Sequence, residues 1–262
     1  MKILIKIGGT LLDSGESRDR LAGEIAAAAA GGHHVVVVHG GGKQMTRFLT
    51  ERGIESRFID GLRVTTPETI DAVLKVFAGS VNKQLVAALI AAGARAVGLS
   101  GIDGRLVEAV PLREELGAVG TPVRSDGALL DLLVSHSYLP VVACVAGDGD
   151  GHIYNVNADQ MAVACATGFG ARRLLFLTDV DGVLSPEKRL FPVLTLSASE
   201  ELIRSGVATG GMQAKLQSAG KALRDGVPEV VIAPGGRTGV VRSLLAGESL
   251  GTRLVKDTNG HE

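Results

Sequence analysis

Lys2-Ile3-Leu4-Ile5-Lys6-Ile7-Gly8-Gly9 is a short apolar run, interrupted by one lysine, that ends in a glycine pair. Apolar residues at successive positions, rather than alternate ones, suit a strand covered on both faces. The design recurs at residues 35–38, which lead into His39-Gly40-Gly41-Gly42, and at 96–99, 141–145, 174–177, 230–233 and 253–255. Between these runs lie stretches with helical periodicity, at 18–30, 43–52, 83–92, 126–137 and 212–224. Strand and helix in repetition mean βαβ units and a mainly parallel sheet. One helix start is well marked: Thr66 can cap, Pro67 suits the first turn, and Glu68 sits at the positive end of the dipole. Residues 107–124 and 147–152 are irregular and read as hairpins on the rim of the sheet, and a soft boundary falls near 168–172.

Composition bounds the function. The chain has 262 residues, 45% hydrophobic and 21% charged, enough for one large domain or two fused lobes. Gly numbers 36, about twice average usage, while aromatics are 3% and Trp is absent, so the core is built from Val, Leu, Ile and Ala. A net charge of −1 without a block of like charges argues against a nucleic-acid footprint or a basic face for anionic lipid. No apolar run reaches the ~18 residues of a membrane span, and the first residues lack the features of a signal peptide. Cys144 and Cys165 form no CxxC pair and read as small buried hydrophobes. The expectation is a cytoplasmic protein without membrane or nucleic-acid partners.

In parallel sheets ligands gather at the carboxyl ends of strands, which here carry Gly8-Gly9 and Gly40-Gly41-Gly42; a third glycine pair, Thr209-Gly210-Gly211-Met212, opens a helix. Bare N–H groups of consecutive glycines at helix starts make an anion cradle, which points to a nucleotide or phosphorylated ligand. Lys6 aims an ammonium at the first turn and Lys215 lies one helical turn after Gly211, although a solvated lysine is the plain alternative for each. The common nucleotide signatures are missing: Gly220-Lys221 is followed by Ala222 rather than Ser or Thr, and no G-x-G-x-x-G follows a strand.

Gly61-Leu62-Arg63-Val64-Thr65 and Asn155-Val156-Asn157-Ala158-Asp159-Gln160, taken with the glycine turns, resemble the acetylglutamate kinases of the amino acid kinase family. The resemblance runs nearly end to end, through KIGG, HGGG, GLRVT, GLSGIDG, ELGAVG, SYLPVV, NVNADQ, TDVDGVL, TGGMQAK and GTRLV. It implies an α/β fold, an open three-layer αβα sandwich with a mainly parallel central sheet. Residues 1–170 would form an N-terminal lobe for acetylglutamate binding and dimerisation, and 171–262 a C-terminal lobe for ATP. The implied activity is ATP-dependent phosphorylation of the side-chain carboxylate of N-acetyl-L-glutamate to N-acetylglutamyl 5-phosphate, in arginine biosynthesis.

Carried over position by position, the resemblance makes Lys6 and Lys215 stabilisers of the transferring phosphoryl group and Asp159 the organiser of both lysines. Gly8, Gly9, Gly41 and Gly42 would line the phosphoryl path, Gly41 and Gly42 also touching acetylglutamate. Arg63 would hold a substrate carboxylate and Asn155 would bind substrate. Asp179, Val180, Asp181, Gly182, Val183 and Leu184, with Thr209, Gly210, Gly211 and Met212, match nucleotide-binding segments. Gly210 stands where some relatives carry an acidic residue. Mg²⁺ would be held mainly by the ATP phosphates, for no carboxylate cluster offers a tight metal site. His39 reads as a loop hydrogen-bonder rather than an acid or base. At most five residues precede Lys6, too few for the extra N-terminal helix that arginine-inhibited relatives carry. The expectation is therefore a homodimer insensitive to arginine, with the helix at 83–92 as a candidate contact.

Two alternatives stand beside this reading. A kinase of the same family acting on an aminoadipate or glutamate residue of a carrier protein would carry a glycine-rich Ser-Arg segment where GLRVT stands. A catalytically silent amino acid sensor would have lost a lysine or the Asp, and Lys6, Asp159 and Lys215 are all present.

Overall fold

The apolar runs become strands, all in one large sheet except the end of the run at 141–145, and the amphipathic stretches become helices packed on them. The computed structural model describes residues 1–257. In chain order its strands are β1 (Lys2–Ile7), β2 (His34–His39), β3 (Phe58–Ile59), β4 (Leu62–Arg63), β5 (Ala96–Ser100), β6 (Val107–Pro111) and β7 (Val119–Ser125). They continue with β8 (Leu139–Ala143), β9 (Val145–Gly147), β10 (Ile153–Val156), β11 (Arg173–Thr178), β12 (Val193–Thr195), β13 (Glu229–Pro234) and β14 (Thr252–Val255). The α-helices are α1 (Gly15–Ala30), α2 (Gly42–Thr50), α3 (Pro67–Val73), α4 (Asn82–Ala91), α5 (Ala128–Ser135), α6 (Ala158–Phe169), α7 (Leu196–Arg204), α8 (Gly210–Arg224) and α9 (Val240–Leu245).

The eight-stranded sheet has the order β12-β14-β13-β11-β1-β2-β8-β5. Strands β13 through β5 run parallel, and β14 turns antiparallel to β13. β1 lies between β2 and β11, with Lys6 level with Val38 and Phe176. Its apolar residues Ile3, Leu4, Ile5 and Ile7 are fully buried, as burial on both faces requires. The sheet passes without a break from β1 to β11, and so across the expected lobe boundary. From α1, Arg20 donates to the carbonyls of Gly235 and Arg237, while Glu24 accepts from the amides of Gly239 and Val241 at the start of α9.

Three elements differ from the sequence reading. The run at 141–145 divides at Cys144: β8 stays in the large sheet and β9 leaves it. Both halves are equally apolar, so no change of period marks the switch. The rim hairpins join into a closed barrel of β10, β7, β6 and β9 rather than standing apart. The helix expected at 83–92 is the end of a longer one: Thr66 caps α3 by accepting from the Thr69 amide, and a π-helical stretch, Leu74–Val81, carries α3 into α4. The unit Pro67–Ala91 is long and apolar enough to cross a membrane by length and composition. It instead buries Val73, Val76, Phe77, Leu85 and Leu89 in the core.

Candidate active site

Asp159 lies in the first turn of α6, whose cap Asn157 accepts from the amides of Asp159 and Gln160. From there it meets two cations. Lys6 Nζ, at the carboxyl end of β1, lies 2.7 Å from Asp159 Oδ1, and Lys215 Nζ, on α8, lies 3.2 Å from Oδ2. Lys6 and Asp159 are 7% and 6% exposed and Lys215 is half-buried, so the group is a cation–anion–cation arrangement with a buried ion pair at its centre. Burial pushes the Asp159 carboxyl upward, but Lys6 and Lys215 outweigh it and hold the group below the usual carboxylate range. The helix start adds to this preference for the anion.

Helix starts in the fold divide into two kinds. Side chains of Ser14, Thr66, Asn157 and Thr195 cap α1, α3, α6 and α7. No N-cap side chain bonds to α5 or α9, nor to α2, which begins at Gly41-Gly42, or α8, which begins at Thr209-Gly210; the last two begin at the glycine turns. Gly210 opens α8 at φ +52°, a left-handed conformation that glycine adopts without strain. Uncapped helix starts leave N–H donors for an anionic ligand. Gly8 departs from the expected bare amides: its N–H donates to the Leu177 carbonyl at 2.8 Å and so closes β1 onto β11. An added Cβ at Gly8 would lie 3.0 Å from that same oxygen. Gly8 therefore shapes the turn, and its amide is already used.

Arg63 occupies β4 of the small β3–β4 hairpin. Its guanidinium donates to Thr46 Oγ1 at 2.8 Å, to Ser56 Oγ and to the Gly42 carbonyl, and it stacks over the Phe58 ring. It is 9% exposed, yet among the described residues no carboxylate pairs with it. A buried guanidinium held by hydroxyls and a carbonyl keeps its charge available for an incoming anion. Thr65 Oγ1 donates to the Arg63 carbonyl at 2.9 Å and accepts from Asn155 Nδ2 at 3.1 Å, which ties hairpin to barrel.

Asp179, Val180 and Asp181 lie exposed just beyond β11, whereas Gly182 and Val183 are buried and Leu184 is exposed. The Val183 amide donates to Thr252 Oγ1 at 2.8 Å, which fixes this loop against β14. Thr209, Gly210 and Gly211 are exposed at the start of α8, with Met212 half-buried. Among the described residues no group of three or more His, Cys, Asp or Glu is placed to hold a metal ion. Thr46, Ser56, Thr65 and Asn82 were not singled out from the sequence. Thr65 lies inside the GLRVT motif, but nothing local marks the others, whose partners lie 7 residues away for Ser56, 17 for Thr46 and 43 for Asn82.

His39, at the end of β2, is fully buried, and burial pushes it down to about 4. In an unfolded chain the ring takes its proton near pH 6.5. Between those two values the unfolded state binds one more proton than the folded one, so stability falls as pH falls. The expected loss is about 3 kcal/mol across the window from about 6.5 to 4, and none arises above it. Urea unfolding of the protein and of His39→Asn at pH 7, 5.5 and 4.5 checks this. The gap between them should change with pH, and a constant gap contradicts the assignment.

A parallel sheet with two lysines on one buried aspartate, between uncapped helix starts, is the frame of a phosphoryl-transfer protein. The chain belongs to the amino acid kinase family, whose model matches residues 1–234. It is 66% identical over 255 residues to an acetylglutamate kinase from Solibacter usitatus (strain Ellin6076), covering 97% of this chain and 99% of that one. It is 41% identical over 267 residues to an acetylglutamate kinase from Brucella canis (strain ATCC 23365 / NCTC 10854 / RM-666), covering 97% of this chain and 90% of that one. Among solved structures, smu.665 from Streptococcus mutans UA159 superposes with a TM-score of 0.84 at 28% identity, over 98% of this chain and 99% of that one. The N-acetylglutamate synthase from Neisseria gonorrhoeae complexed with coenzyme A and N-acetyl-glutamate shares the fold at a TM-score of 0.87 and 24% identity. The alignment covers 98% of this chain and 60% of that longer protein.

Proposed function

We propose that this chain transfers the γ-phosphoryl group of MgATP to the side-chain carboxylate of N-acetyl-L-glutamate, a step of arginine biosynthesis. The observation that carries the reading is the Lys6–Asp159–Lys215 arrangement at the carboxyl end of β1. The near full-length likeness to acetylglutamate kinases supports the choice of acceptor. A side-chain carboxylate with a reference pKa near 4.3 is already ionised at neutral pH and needs no general base. Its oxygen bonds to the γ-phosphorus as the bond to the β–γ bridging oxygen breaks, and that electron pair leaves with ADP.

What the reaction needs is cancellation of charge between two anions and fixed donors at the equatorial oxygens. Lys6 and Lys215 supply the charge, and Asp159 holds the two ammoniums apart at its two oxygens. Gly8 and Gly9 line the phosphoryl path, and Gly41 and Gly42 bring α2's free N–H groups to it. Arg63 grips a substrate carboxylate while Asn155, braced by Thr65, contacts the rest of the acceptor. The nucleotide lies along residues 179–184 and the start of α8, with Mg²⁺ carried on its phosphates. Residues 1–170 and 171–262 act as acceptor and nucleotide lobes; of the second, 258–262 lie outside the described residues. A cytoplasmic homodimer completes the reading. Its contact lies on the outer face of α4, where Ile90 is 54% exposed.

Purified protein given MgATP and N-acetylglutamate, glutamate, aspartate or aminoadipate, with hydroxylamine to trap acyl phosphate, tests this. Hydroxamate should form with N-acetylglutamate far faster than with the others. Preference for another acceptor, or no hydroxamate at all, refutes the reading.

A further inference from the structure

Behind the Gly40-Gly41-Gly42 turn runs a chain of hydrogen bonds that the reaction as described leaves unused. Asn82 Nδ2 lies 2.9 Å from the Val141 carbonyl and 3.0 Å from His39 Nε2, and His39 Nδ1 lies 2.8 Å from the Gly40 carbonyl. The carbonyls at its two ends set the direction of the chain. A carbonyl only accepts, so Asn82 must present its NH₂ to Val141, and for the second amide proton His39 Nε2 at 3.0 Å is the nearer acceptor than the Leu99 carbonyl at 3.5 Å. The Gly40 carbonyl likewise requires a proton on Nδ1. One neutral tautomer, Nδ1–H with a lone pair on Nε2, satisfies both ends.

The bond to Gly40 has a geometric consequence at the next residue. In a planar trans peptide the N–H of Gly41 points opposite to the Gly40 carbonyl. Tying that carbonyl to the buried imidazole turns the Gly41 amide away from the core, and it has no acceptor among the described residues. The turn packs against the start of α6, for a Cβ at Gly40 would lie 3.3 Å from Ala158 Cβ, one residue before Asp159. From behind, Phe77 and Val81 press on Gly41, where a Cβ would lie 2.9 Å from the Phe77 ring.

Two of the three supports lie in one irregular feature and the third follows it directly. The π-helical stretch Leu74–Val81 carries Phe77 and Val81 and ends immediately before Asn82. Such widened turns recur at functional sites. Gly98 on β5 leaves the space for the amide, since a Cβ there would lie 2.0 Å from Asn82 Oδ1. Asn82 and His39 are both fully buried.

We propose that His39, held as the Nδ1–H tautomer by Asn82, is a positioning residue that aims the Gly41 amide at the transferring phosphoryl group. The inference rests on the kinase reading. It adds a donor whose direction is set by residues that never touch substrate.

His39→Leu removes the tie to Gly40, whereas His39→Asn keeps a donor at the position of Nδ1. Misplacement of a donor by about an ångström lowers turnover by on the order of 10²-fold, so kcat should fall by about that factor in His39→Leu, with KM for ATP little changed. His39→Asn should recover most of the loss at a similar urea midpoint. Nitrogen NMR of the wild-type protein should show His39 as the Nδ1–H tautomer, and Asn82→Leu should abolish that signature and lower kcat. The inference is overturned by an Nε2–H tautomer in the wild type, by wild-type kcat in His39→Leu or Asn82→Leu, or by His39→Asn no better than His39→Leu. A wild type that forms no acyl phosphate defeats the kinase reading and this inference with it, whereas an active wild type with indifferent variants defeats this inference alone.

Discussion

Lys215→Ala should lower kcat for acyl phosphate formation by about 10² to 10³, the usual effect of removing one preorganised donor, while KM for N-acetylglutamate changes far less. Lys6→Ala should do the same. The two ammoniums sit on opposite oxygens of Asp159, at 2.7 and 3.2 Å, and in the proposed reaction each meets the developing charge from its own side. Interactions that strengthen only as charge moves to the phosphoryl oxygens act on kcat rather than on ground-state binding. The lysines differ in their supports. Lys6 is fixed within a buried central strand, whereas Lys215 stands on α8, whose first turn has no side-chain cap. Steady-state kinetics with both substrates varied measures the separation. Wild-type turnover in Lys215→Ala would show that the cluster holds the fold together and does not act on the phosphoryl group.

Arg63→Ala should raise KM for N-acetylglutamate by tenfold to about a hundredfold, the equivalent of the roughly 1.5 to 3 kcal/mol carried by a charge-assisted hydrogen bond. KM for ATP should move little. The guanidinium is held in advance by Ser56, Thr46 and the Gly42 carbonyl, with no carboxylate of the described chain beside it. Arg63→Lys should fail to restore affinity, because an ammonium cannot reproduce the planar fork or the stacking on Phe58. Equal loss of affinity for both substrates would instead assign Arg63 to holding the β3–β4 hairpin.

Much of the architecture was legible because it rests on local patterns. Continuous apolar runs mark β1, β2, β11 and β13, which the structure covers on both faces, whereas β5 at the sheet's edge and β14 with its exposed Arg253 are covered only in part; Thr66-Pro67-Glu68 starts a helix by its own chemistry. The division at Cys144 was not legible, since β8 and β9 are alike in composition and differ only in which sheet takes them. The π-helical stretch Leu74–Val81 was equally hidden, because an apolar run carries no mark of a widened turn.

The site divides along the same line. The sequence by itself determined which residues could carry phosphoryl chemistry: lysines beside glycine turns, an arginine in GLRVT and an aspartate in NVNADQ, the last two singled out by their resemblance to a known family. Tertiary structure decided what those residues do to one another. Lys215 and Asp159 are 56 residues apart in the chain and 3.2 Å apart in space, a distance set by the packing of α6 against α8. The same holds for His39, whose neighbours in sequence present it as part of a glycine loop. Asn82, 43 residues away, decides its tautomer and hence the direction of the Gly41 amide. Periodicity and turn chemistry act within a few residues, whereas hydrogen-bond direction, burial and charge pairing depend on distant elements brought together by the core.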